Sequence, residues 1–512
     1  MAIAGTLIKA AIHLQQYIIP ETEHAGEEQT KQLRSLLKKA SDTSFGKFYG
    51  FENLLKSPNI KSDFVQKVPI HDYETISQRW WCRSLEGEKD ICWPGRVQFF
   101  ALSSGTTGNK SKRIPVTQDM LKSIQKTSLQ QILSLTHYNL PVDFYEKDIL
   151  LVGSSTSLSD KGVYKEGEIS GISAYNIPEW FNNYYKPGND IAGISNWEEK
   201  VDAIIKKAPE WDIGAMAGIP AWYQVMMQRI IDYYGLETIH DIWPNLQVYA
   251  SGGVAFEPYR KNFDKLFGKP VHVTDTYLAS EGYLAFQCRP DTNAMKLNLD
   301  AGIYYEFVPF TEHNFDSEGK IKPNPEIHLL EEVEENCDYA IVISTCSGAW
   351  RYLIGDTIRF TNKARHEIII TGRTKHFLNV AGSQLSIEKL NAGINHLQET
   401  FDIKIADFLV SAIEYQEGFA HKWYIGSNDP ADNQLLKNSL DHYLKEINKN
   451  YKGAREKALK DVFVEIVPPD FFYQYHVKYK TAGGQSKTPR VMKKEQFQQF
   501  EALVETLSQT QR

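Results

Sequence analysis

The chain has 512 residues, which is too long for a single hydrophobic core, so we expect two or more domains. Its content of apolar residues (42%) and of aromatic residues (12%) is that of a folded globular protein and excludes an intrinsically disordered one. The formal net charge of -7 argues against a general nucleic-acid-binding protein, which needs concentrated positive charge to neutralise phosphates.

The cysteines and the hydropathy pattern predict a cytoplasmic protein. An odd number of cysteines without metal-ligand spacing favours a reducing compartment: Cys82, Cys92, Cys288, Cys337 and Cys346. No uninterrupted apolar stretch approaches the roughly 20 residues that cross a bilayer, so we expect no membrane partner. Residues 1–18 lack the uniform apolar centre and the cleavage site of a signal peptide. Their periodicity instead predicts a helix packed on the protein body.

Strands and helices alternate along the first three quarters of the chain. Periodicity predicts helices over residues 27–39, 116–136, 197–207 and 220–234, the second with Thr117 as its N-cap. Apolar runs that stop at glycine or polar residues predict buried strands over residues 99–102, 149–153, 246–253, 270–275, 340–345 and 367–371. This alternation predicts an α/β domain with a largely parallel sheet.

The pattern changes after Arg373 and predicts a small α+β domain of about 130 residues, an ordinary domain size. Helices are expected over residues 384–397, 436–451 and 494–507, and strands over residues 406–413, 421–425 and 462–467. We therefore predict a large domain at 1–373 and a small C-terminal domain at 374–512, with the boundary near residues 373–382.

A loop rich in serine, threonine, glycine and lysine follows the first predicted strand. Residues 103–112 read Ser-Ser-Gly-Thr-Thr-Gly-Asn-Lys-Ser-Lys. Open backbone N–H groups, hydroxyls and positive charge suit a polyphosphate. The spacing does not match a Walker loop, which needs four residues between its first glycine and a Gly-Lys-Ser/Thr triplet. A flexible surface loop would have the same composition.

Three further motifs lie at or after the ends of predicted strands. The two glycines of residues 251–253 would let a flat ring approach the backbone. In residues 276–282, the ring of Tyr277 could stack on a base, a hydroxyl could bind phosphate, and a carboxylate could hold a divalent cation. Asp356 follows Gly355 and could accept hydrogen bonds from ribose hydroxyls. Each motif could also be an ordinary turn or loop.

Two basic motifs complete the series. Gly372-Arg373 lies at the expected domain boundary, and Lys487 lies in the glycine-rich segment 483–490 of the small domain. A solvated basic tail is the usual meaning of such a run.

The order of these motifs resembles that of adenylate-forming enzymes. More narrowly, the chain resembles the Gretchen Hagen family of auxin-responsive acyl acid amido synthetases and their bacterial relatives. The features that carry the resemblance also include the aromatic segment 45–51, Val-Pro-Ile at 68–70, Trp-Pro-Asn-Leu at 243–246 and the Ile-Pro after the loop. The resemblance covers nearly the whole chain. It implies an α/β adenylate-forming domain with mostly parallel sheets, followed by a small α+β domain.

The resemblance also implies a reaction and its cofactors. A small carboxylic acid would attack the α-phosphate of ATP, with Mg²⁺ bound, to give an acyl-adenylate and pyrophosphate. An amine, often that of an amino acid, would then attack the activated carbonyl and form an amide. An acyl-CoA ligase shares the first step and is an alternative. A nucleotide-binding protein that has lost catalysis is another.

By motif match, each site residue has an expected role. The phosphates of ATP are expected on Ser103, Ser104, Thr106, Thr107 and Ser280, assisted by Lys112. The adenine is expected against Ser251, Gly252 and Gly253, with Tyr277 stacked on it. Mg²⁺ is expected on Glu281, the ribose on Asp356, and ribose or phosphate on Arg373. Lys487 is expected to bridge the attacking carboxylate and the α-phosphate.

Two regions depart from the family pattern or are weakly specified. The wider superfamily has Tyr-Arg-x-Gly-Asp where this chain has Tyr-Leu-Ile-Gly-Asp at 352–356, and the arginine appears earlier, as Arg351. The hinge segment 379–383 also differs from that of the plant members. Aromatic walls suited to an aryl or apolar acid are expected from Ile219, Trp222, Tyr223 and Tyr305, although core packing explains many such rings.

Overall fold

The computed structural model describes residues 24–103, 112–253, 256–316, 319–374, 385, 387–416, 418–448, 451–452, 454–455, 459–479, 488–492 and 494–510. No helix within these ranges is both long enough and apolar enough to cross a membrane. All five cysteines lie in these ranges and are free thiols.

A helical region begins the described chain. Its helices are α1 (Ala25–Ala40), α2 (Ser44–Tyr49), α3 (Phe51–Leu55), α4 (Ile60–Lys67), α5 (Tyr73–Ile76) and α6 (Cys82–Leu85), with a π-helical turn at Ser77–Trp81. Helix α1 buries Leu33 and Leu37. The Gln29 side chain on the same helix donates hydrogen bonds to the Leu299 and Ile303 carbonyls at 3.0 and 3.1 Å. This region is thereby fixed to the central sheet.

A four-stranded sheet follows the helical region. Its strands are β1 (Phe99–Ser103), β2 (Lys112–Val116), β4 (Ser159–Asp160) and β5 (Lys165–Gly167), in the spatial order β2-β1-β5-β4. Strands β1 and β2 are antiparallel, and Ser103 pairs with Lys112. The two ends of the loop at 103–112 therefore lie side by side.

The central sheet has eleven strands. They are β3 (Asp148–Val152), β6 (Tyr185–Lys186), β7 (Ile213–Gly218), β8 (Val248–Gly252), β9 (His272–Ala279), β10 (Gly282–Phe286), β11 (Met295–Leu297), β12 (Ile303–Pro309), β13 (Asp338–Thr345), β14 (Tyr352–Asn362) and β15 (Glu367–Arg373). The spatial order is β12-β13-β14-β15-β11-β10-β9-β8-β7-β3-β6. Strands from β6 to β9 pair in parallel, and those from β9 to β12 pair antiparallel.

Helices connect and cover the strands. They are α7 (Gln118–Ser134), α8 (Ile169–Tyr175), α9 (Asn189–Ala192), α10 (Trp197–Lys207), α11 (Pro220–Tyr234) and α12 (Arg260–Leu266). Helix α7 is capped by the Thr117 hydroxyl, which accepts a hydrogen bond from the Met120 amide at 3.1 Å. A hydrophobic core cluster that includes Val201, Ile204 and Met227 joins α10 and α11 to the parallel strands.

The C-terminal part has its own core. A three-stranded sheet, β16 (Asp407–Tyr415), β17 (Gly418–Gly426) and β18 (Leu459–Val467), packs with α13 (Ile387–Phe401), α14 (Asn433–Ile447), α15 (Asp470–Tyr479) and α16 (Lys494–Thr510). Leu390, Leu440 and Trp423 are buried together in this core. The α+β character predicted for this region is confirmed, and the division at residue 373 stays a prediction.

The predicted fold class is confirmed, with three differences. Parallel pairing in the central sheet is limited to the half between β6 and β9, and in the other half short connections reverse the chain between β9 and β10, between β13 and β14, and between β14 and β15. Strand β9 continues to Ala279, so Tyr277 lies within a strand and not in a loop. Asp356 lies inside β14 and not at a strand end, because the chain re-enters the sheet at Tyr352.

Arg351 is a core residue. It is 3% exposed, and its guanidinium Nε lies 3.0 Å from both carboxylate oxygens of Glu306, which is fully buried. Its Nη1 donates to the carbonyls of Val65 and Val68 at 2.8 and 2.6 Å. The arginine that precedes the motif tyrosine therefore ties the end of α4 to the central sheet.

We predict that Arg351→Met lowers the free energy of unfolding by about 3–5 kcal/mol, because it leaves the Glu306 carboxylate buried without its partner. Urea unfolding followed by tryptophan fluorescence measures the change. Replacing both partners (Arg351→Met with Glu306→Leu) should recover much of the loss. In contrast, Arg83→Met breaks an exposed pair with Glu88, which solvent screens, and should lower the free energy of unfolding far less. Equal losses for Arg351→Met and Arg83→Met would contradict the assignment.

Candidate active site

A cavity of about 3010 Å³ lies between the carboxyl ends of the parallel strands and the C-terminal part of the chain. Gly153, Gly218 and Gly252 line it from the sheet, and Asp407 and Arg490 line it from the C-terminal part. A site for one small ligand usually occupies about 300–1,000 Å³. The cavity therefore has room for more than one small molecule.

The strand ends that face this cavity are aligned. Val152 pairs with Gly218, Gly218 with Ser251, and Ser251 with Asp275. Ligands of parallel α/β sheets bind outside the carboxyl ends of the strands. The sequence motifs at the ends of β8 and β9 are thus brought to one edge.

A buried carboxylate joins three strands at this edge. The Tyr277 hydroxyl of β9 donates to Asp356 Oδ2 at 2.6 Å, and Arg373 Nε donates to Asp356 Oδ1 at 2.5 Å. Asp356 and Arg373 are also direct partners in the β14–β15 ladder. The neighbouring carboxylate raises the pKa of Arg373, and burial, with the Asp356 charge, raises that of Tyr277. The tyrosine remains protonated and the arginine remains charged.

Glu281 is a second buried carboxyl group at the same edge. It lies with Ser280 in the two-residue turn between β9 and β10 and is 6% exposed. Burial, together with the charge of Asp356, raises the pKa of Glu281 to about 7, although Lys112 and Arg373 oppose the rise. Four charged side chains from separate elements therefore interact around one end of the cavity.

The end of β8 requires glycine at positions 252 and 253. The Thr276 hydroxyl donates to the Ser251 carbonyl at 2.9 Å. A Cβ atom on Gly252 would lie 2.8 Å from that hydroxyl oxygen, and Gly253 has a φ of 81°. Side chains at these two positions would disturb the strand end, so the backbone here stays open to the cavity.

The remaining predicted residues divide by position. Ser103, Lys112 and Ser280 line the cavity together with Glu281. The Lys112 ammonium also lies 5.4 Å from the centre of the Tyr73 ring. Ser104, Thr106, Thr107 and Lys487 lie outside the described residues.

Matches to family models and to characterised relatives cover most of the chain. The GH3 family N-terminal domain matches residues 16–201, the GH3 family central domain residues 297–367, and the GH3 family C-terminal domain residues 388–496. An indole-3-acetic acid-amido synthetase, GH3.2 of Arabidopsis thaliana, is 30% identical over 70% of this chain and 75% of its own length. The chain belongs to the GH3 family. A jasmonoyl–L-amino acid synthetase, JAR4 of Nicotiana attenuata, is 25% identical over 92% of this chain and 91% of its own.

Solved structures show the same fold as this GH3 chain. The GH3.15 acyl acid amido synthetase superposes with a TM-score of 0.77 at 16% identity, covering 96% of each chain. A 2-hydroxyisobutyryl-CoA ligase in the postadenylation state superposes with a TM-score of 0.59 at 13% identity, covering 95% of this chain and 93% of that one. The GH3 chain thus has the same fold as these two ligases.

The residues expected to line an acyl pocket in this GH3 chain fall into two pairs. Ile219 and Trp222 line the cavity beside the end of β7. Tyr223 and Tyr305 belong to the core and not to the lining, because each ring is buried and each hydroxyl donates to a backbone carbonyl. The acceptors are Leu150 at 2.6 Å and Leu284 at 3.0 Å. These two rings support the sheet from within.

Two polar cavity residues of the GH3 chain were missed in the sequence. Asp275, on β9, lines the cavity, and burial raises the pKa of its carboxyl group to about 6. Lys200 lies on the buried face of α10, four residues before Ile204 and three after Trp197. The sequence could have indicated Lys200, because a lysine there interrupts the apolar stripe of the helix. It could not have indicated Asp275, because the burial of that side chain depends on tertiary packing.

Proposed function

We propose that this chain activates a small carboxylic acid with ATP and then joins the acyl group to the amine of an amino acid. The ligase class follows from family membership, because relatives over most of the length are amido synthetases. The observation that carries the reaction is the buried Tyr277–Asp356–Arg373 contact beside Glu281 at the edge of one large cavity. In the first step, the acid oxygen attacks the α-phosphorus and pyrophosphate leaves. In the second, the amine nitrogen, after losing a proton, displaces AMP from the carbonyl carbon.

The nucleotide fits the edge formed by β8, β9 and β14. Each oxygen of a carboxylate has two lone pairs, and Tyr277 and Arg373 each use one on Asp356. The remaining lone pairs can accept hydrogen bonds from the two ribose hydroxyls. The open backbone of Gly252 and Gly253 can lie against the adenine, and Tyr277 forms the adjoining wall.

The phosphates fit the region between β1, β2 and the β9–β10 turn. Ser103 and Lys112, at the two ends of the loop, line the cavity near Ser280 and Glu281. We assign triphosphate binding to this loop, including Ser104, Thr106 and Thr107. Lysine and hydroxyl donors would offset the negative charge that the acid and the polyphosphate bring together.

The donor set fits one Mg²⁺ ion held mainly by its substrate. Among the described residues, no group of three or more His, Cys, Asp or Glu side chains could hold a metal. Magnesium commonly binds one or two carboxylates and completes its coordination with phosphates and water. Glu281 supplies such a carboxylate, and a bound Mg²⁺ would neutralise charge on the phosphates.

Lys487 is proposed to bridge the acid and the α-phosphate from the C-terminal part. Thr488 and Arg490, which follow it, line the cavity. The Thr488 hydroxyl donates to Asp407 Oδ2 at 2.7 Å, and Arg490 Nη1 donates to the Phe408 carbonyl at 3.1 Å. These contacts support delivery of the lysine to the site. We also propose domains at 1–373 and 374–512, whose closure gates the first step.

Apolar side chains and free thiols support two further assignments. Ile219 and Trp222 favour an aryl or apolar acid, because they adjoin the nucleotide edge without adding charge. The five free cysteines favour action in the reducing cytoplasm.

We expect acid-dependent pyrophosphate release when the protein is incubated with ATP, Mg²⁺ and a panel of aryl and aliphatic acids. Addition of amino acids should then give amides, which are identified by product mass, and addition of CoA should give no thioester. Thioesters as the sole products would establish the acyl-CoA ligase alternative. A protein that binds ATP but releases no pyrophosphate with any acid would be a non-catalytic nucleotide-binding protein.

Lys487→Ala is expected to reduce the rate of adenylate formation at least about 100-fold while leaving ATP affinity nearly unchanged, because the lysine acts on charge that develops during the reaction. Single-turnover adenylate formation and equilibrium ATP binding separate the two effects. Lys478→Ala, in the preceding helix α15, serves as the control. Full activity in Lys487→Ala would refute the assigned role.

Asp356→Asn is expected to raise the dissociation constant for ATP about tenfold or more. The substitution removes the charge that Arg373 and Tyr277 hold in place, and a hydrogen bond to a charged group contributes about 1.5–3 kcal/mol. Isothermal titration measures the affinity. Glu88→Gln changes an exposed carboxylate in an arginine pair and should leave ATP binding unaltered. An unchanged affinity in Asp356→Asn would remove Asp356 from the nucleotide site.

A further inference from the structure

A polar cluster lines the cavity at the end of β3. It consists of Ser154, Glu168, Ser170 and Lys200. The Ser154 hydroxyl donates to the Glu168 carboxylate, and the Ser170 hydroxyl donates to Ser154 Oγ at 3.1 Å. The cluster therefore places a carboxylate, an ammonium group and two hydroxyls in one part of the cavity.

Lys200 is a buried cation with little compensation from the protein. It is 4% exposed, and its ammonium donates to the Gly153 carbonyl at 3.3 Å, its one hydrogen bond in the described chain. Burial lowers the pKa of Lys200 to about 8, and the Glu168 charge opposes the fall, so the side chain is mostly charged at neutral pH. A buried ammonium with one long hydrogen bond is unfavourable. Two of its three donors remain for a ligand.

The cluster is separate from the proposed nucleotide edge. Three strand spacings lie between β3 and β9, which is about 14 Å at the usual spacing of neighbouring strands. Ile219 and Trp222 line the cavity and follow β7, the strand that lies between β8 and β3 in the sheet. The cavity thus runs from the nucleotide edge, past an apolar wall, to the charged cluster.

We propose that Lys200 binds the α-carboxylate of the acceptor amino acid and that Glu168 lies beside the ammonium group of that amino acid. This assignment rests on the proposed amide-forming function and adds a site for the second substrate. A zwitterion brings both charges that the cluster complements. The apolar acid has a single carboxylate, which reacts at the α-phosphate. It therefore has no charged group left to bind Lys200 or Glu168.

The test compares an amino acid with its carboxamide, which has the same side chain but no carboxylate. The amino acid that gives most amide in the screen is used. Lys200→Met should raise the KM for the amino acid about tenfold or more and leave the KM for the carboxamide within about twofold. Acid-dependent pyrophosphate release without acceptor should stay within about twofold. Lys200→Arg, which keeps the charge, should restore much of the affinity for the amino acid.

Lys206→Met, an exposed change on the same helix, is the control and should alter none of these values. Glu168→Gln keeps the hydrogen bond to Ser154 and should also raise the KM for the amino acid. Thermal unfolding midpoints verify that each variant is folded. An equal rise in KM for the carboxamide, a raised KM for the acid, or unchanged kinetics in Lys200→Met would overturn the proposal. Failure of the proposed function would give a different result from failure of this assignment, because the wild-type protein itself would then form no amide.

Discussion

The candidate active site depends on one buried carboxylate. Asp356 accepts hydrogen bonds from Tyr277 of β9 and from Arg373 of β15. Strand β9 is where the parallel half of the central sheet meets the antiparallel half. One charge with two donors therefore ties together β9, β14 and β15 beside the proposed nucleotide edge. A charged hydrogen bond inside a protein is strong, and leaving either partner buried alone is costly, so the geometry tolerates little change.

Charge balance around this carboxylate also governs its neighbours. Glu281 is close enough that the Asp356 charge raises its pKa, while Lys112 and Arg373 oppose that rise. Two acids and two cations from four separate elements thus share one end of the cavity. In the proposed function, a polyphosphate with its cation would bind at this end of the cavity. At the other end, Lys200 and Glu168 place one cation and one acid in the same part of the cavity.

Local patterns predicted the elements well, and tertiary packing explains the failures. The helices at 197–207 and 220–234 were predicted at the residues where α10 and α11 begin and end, since their apolar stripes and caps are local signals. The antiparallel half of the sheet was not predicted, because strand pairing depends on contacts distant in sequence. Of the site residues that line the cavity, Ser280 and Glu281 lie in a turn as predicted, whereas Tyr277 and Asp356 lie inside strands. The sequence could not show that Tyr223 and Tyr305 are core residues, because aromatic residues that line a cavity and those that pack in the core follow the same sequence pattern.

The size of the cavity bears on competition from water. At about 3010 Å³ it exceeds the volume of any single small ligand, so water fills whatever a first substrate leaves empty. Water is a nucleophile toward an activated carbonyl, and its access would waste ATP through hydrolysis of the intermediate. In the proposed function, protection of the acyl-adenylate would come from the C-terminal part of the chain and from the second substrate. The fraction of consumed ATP that yields amide thus depends on how completely the substrates fill the cavity.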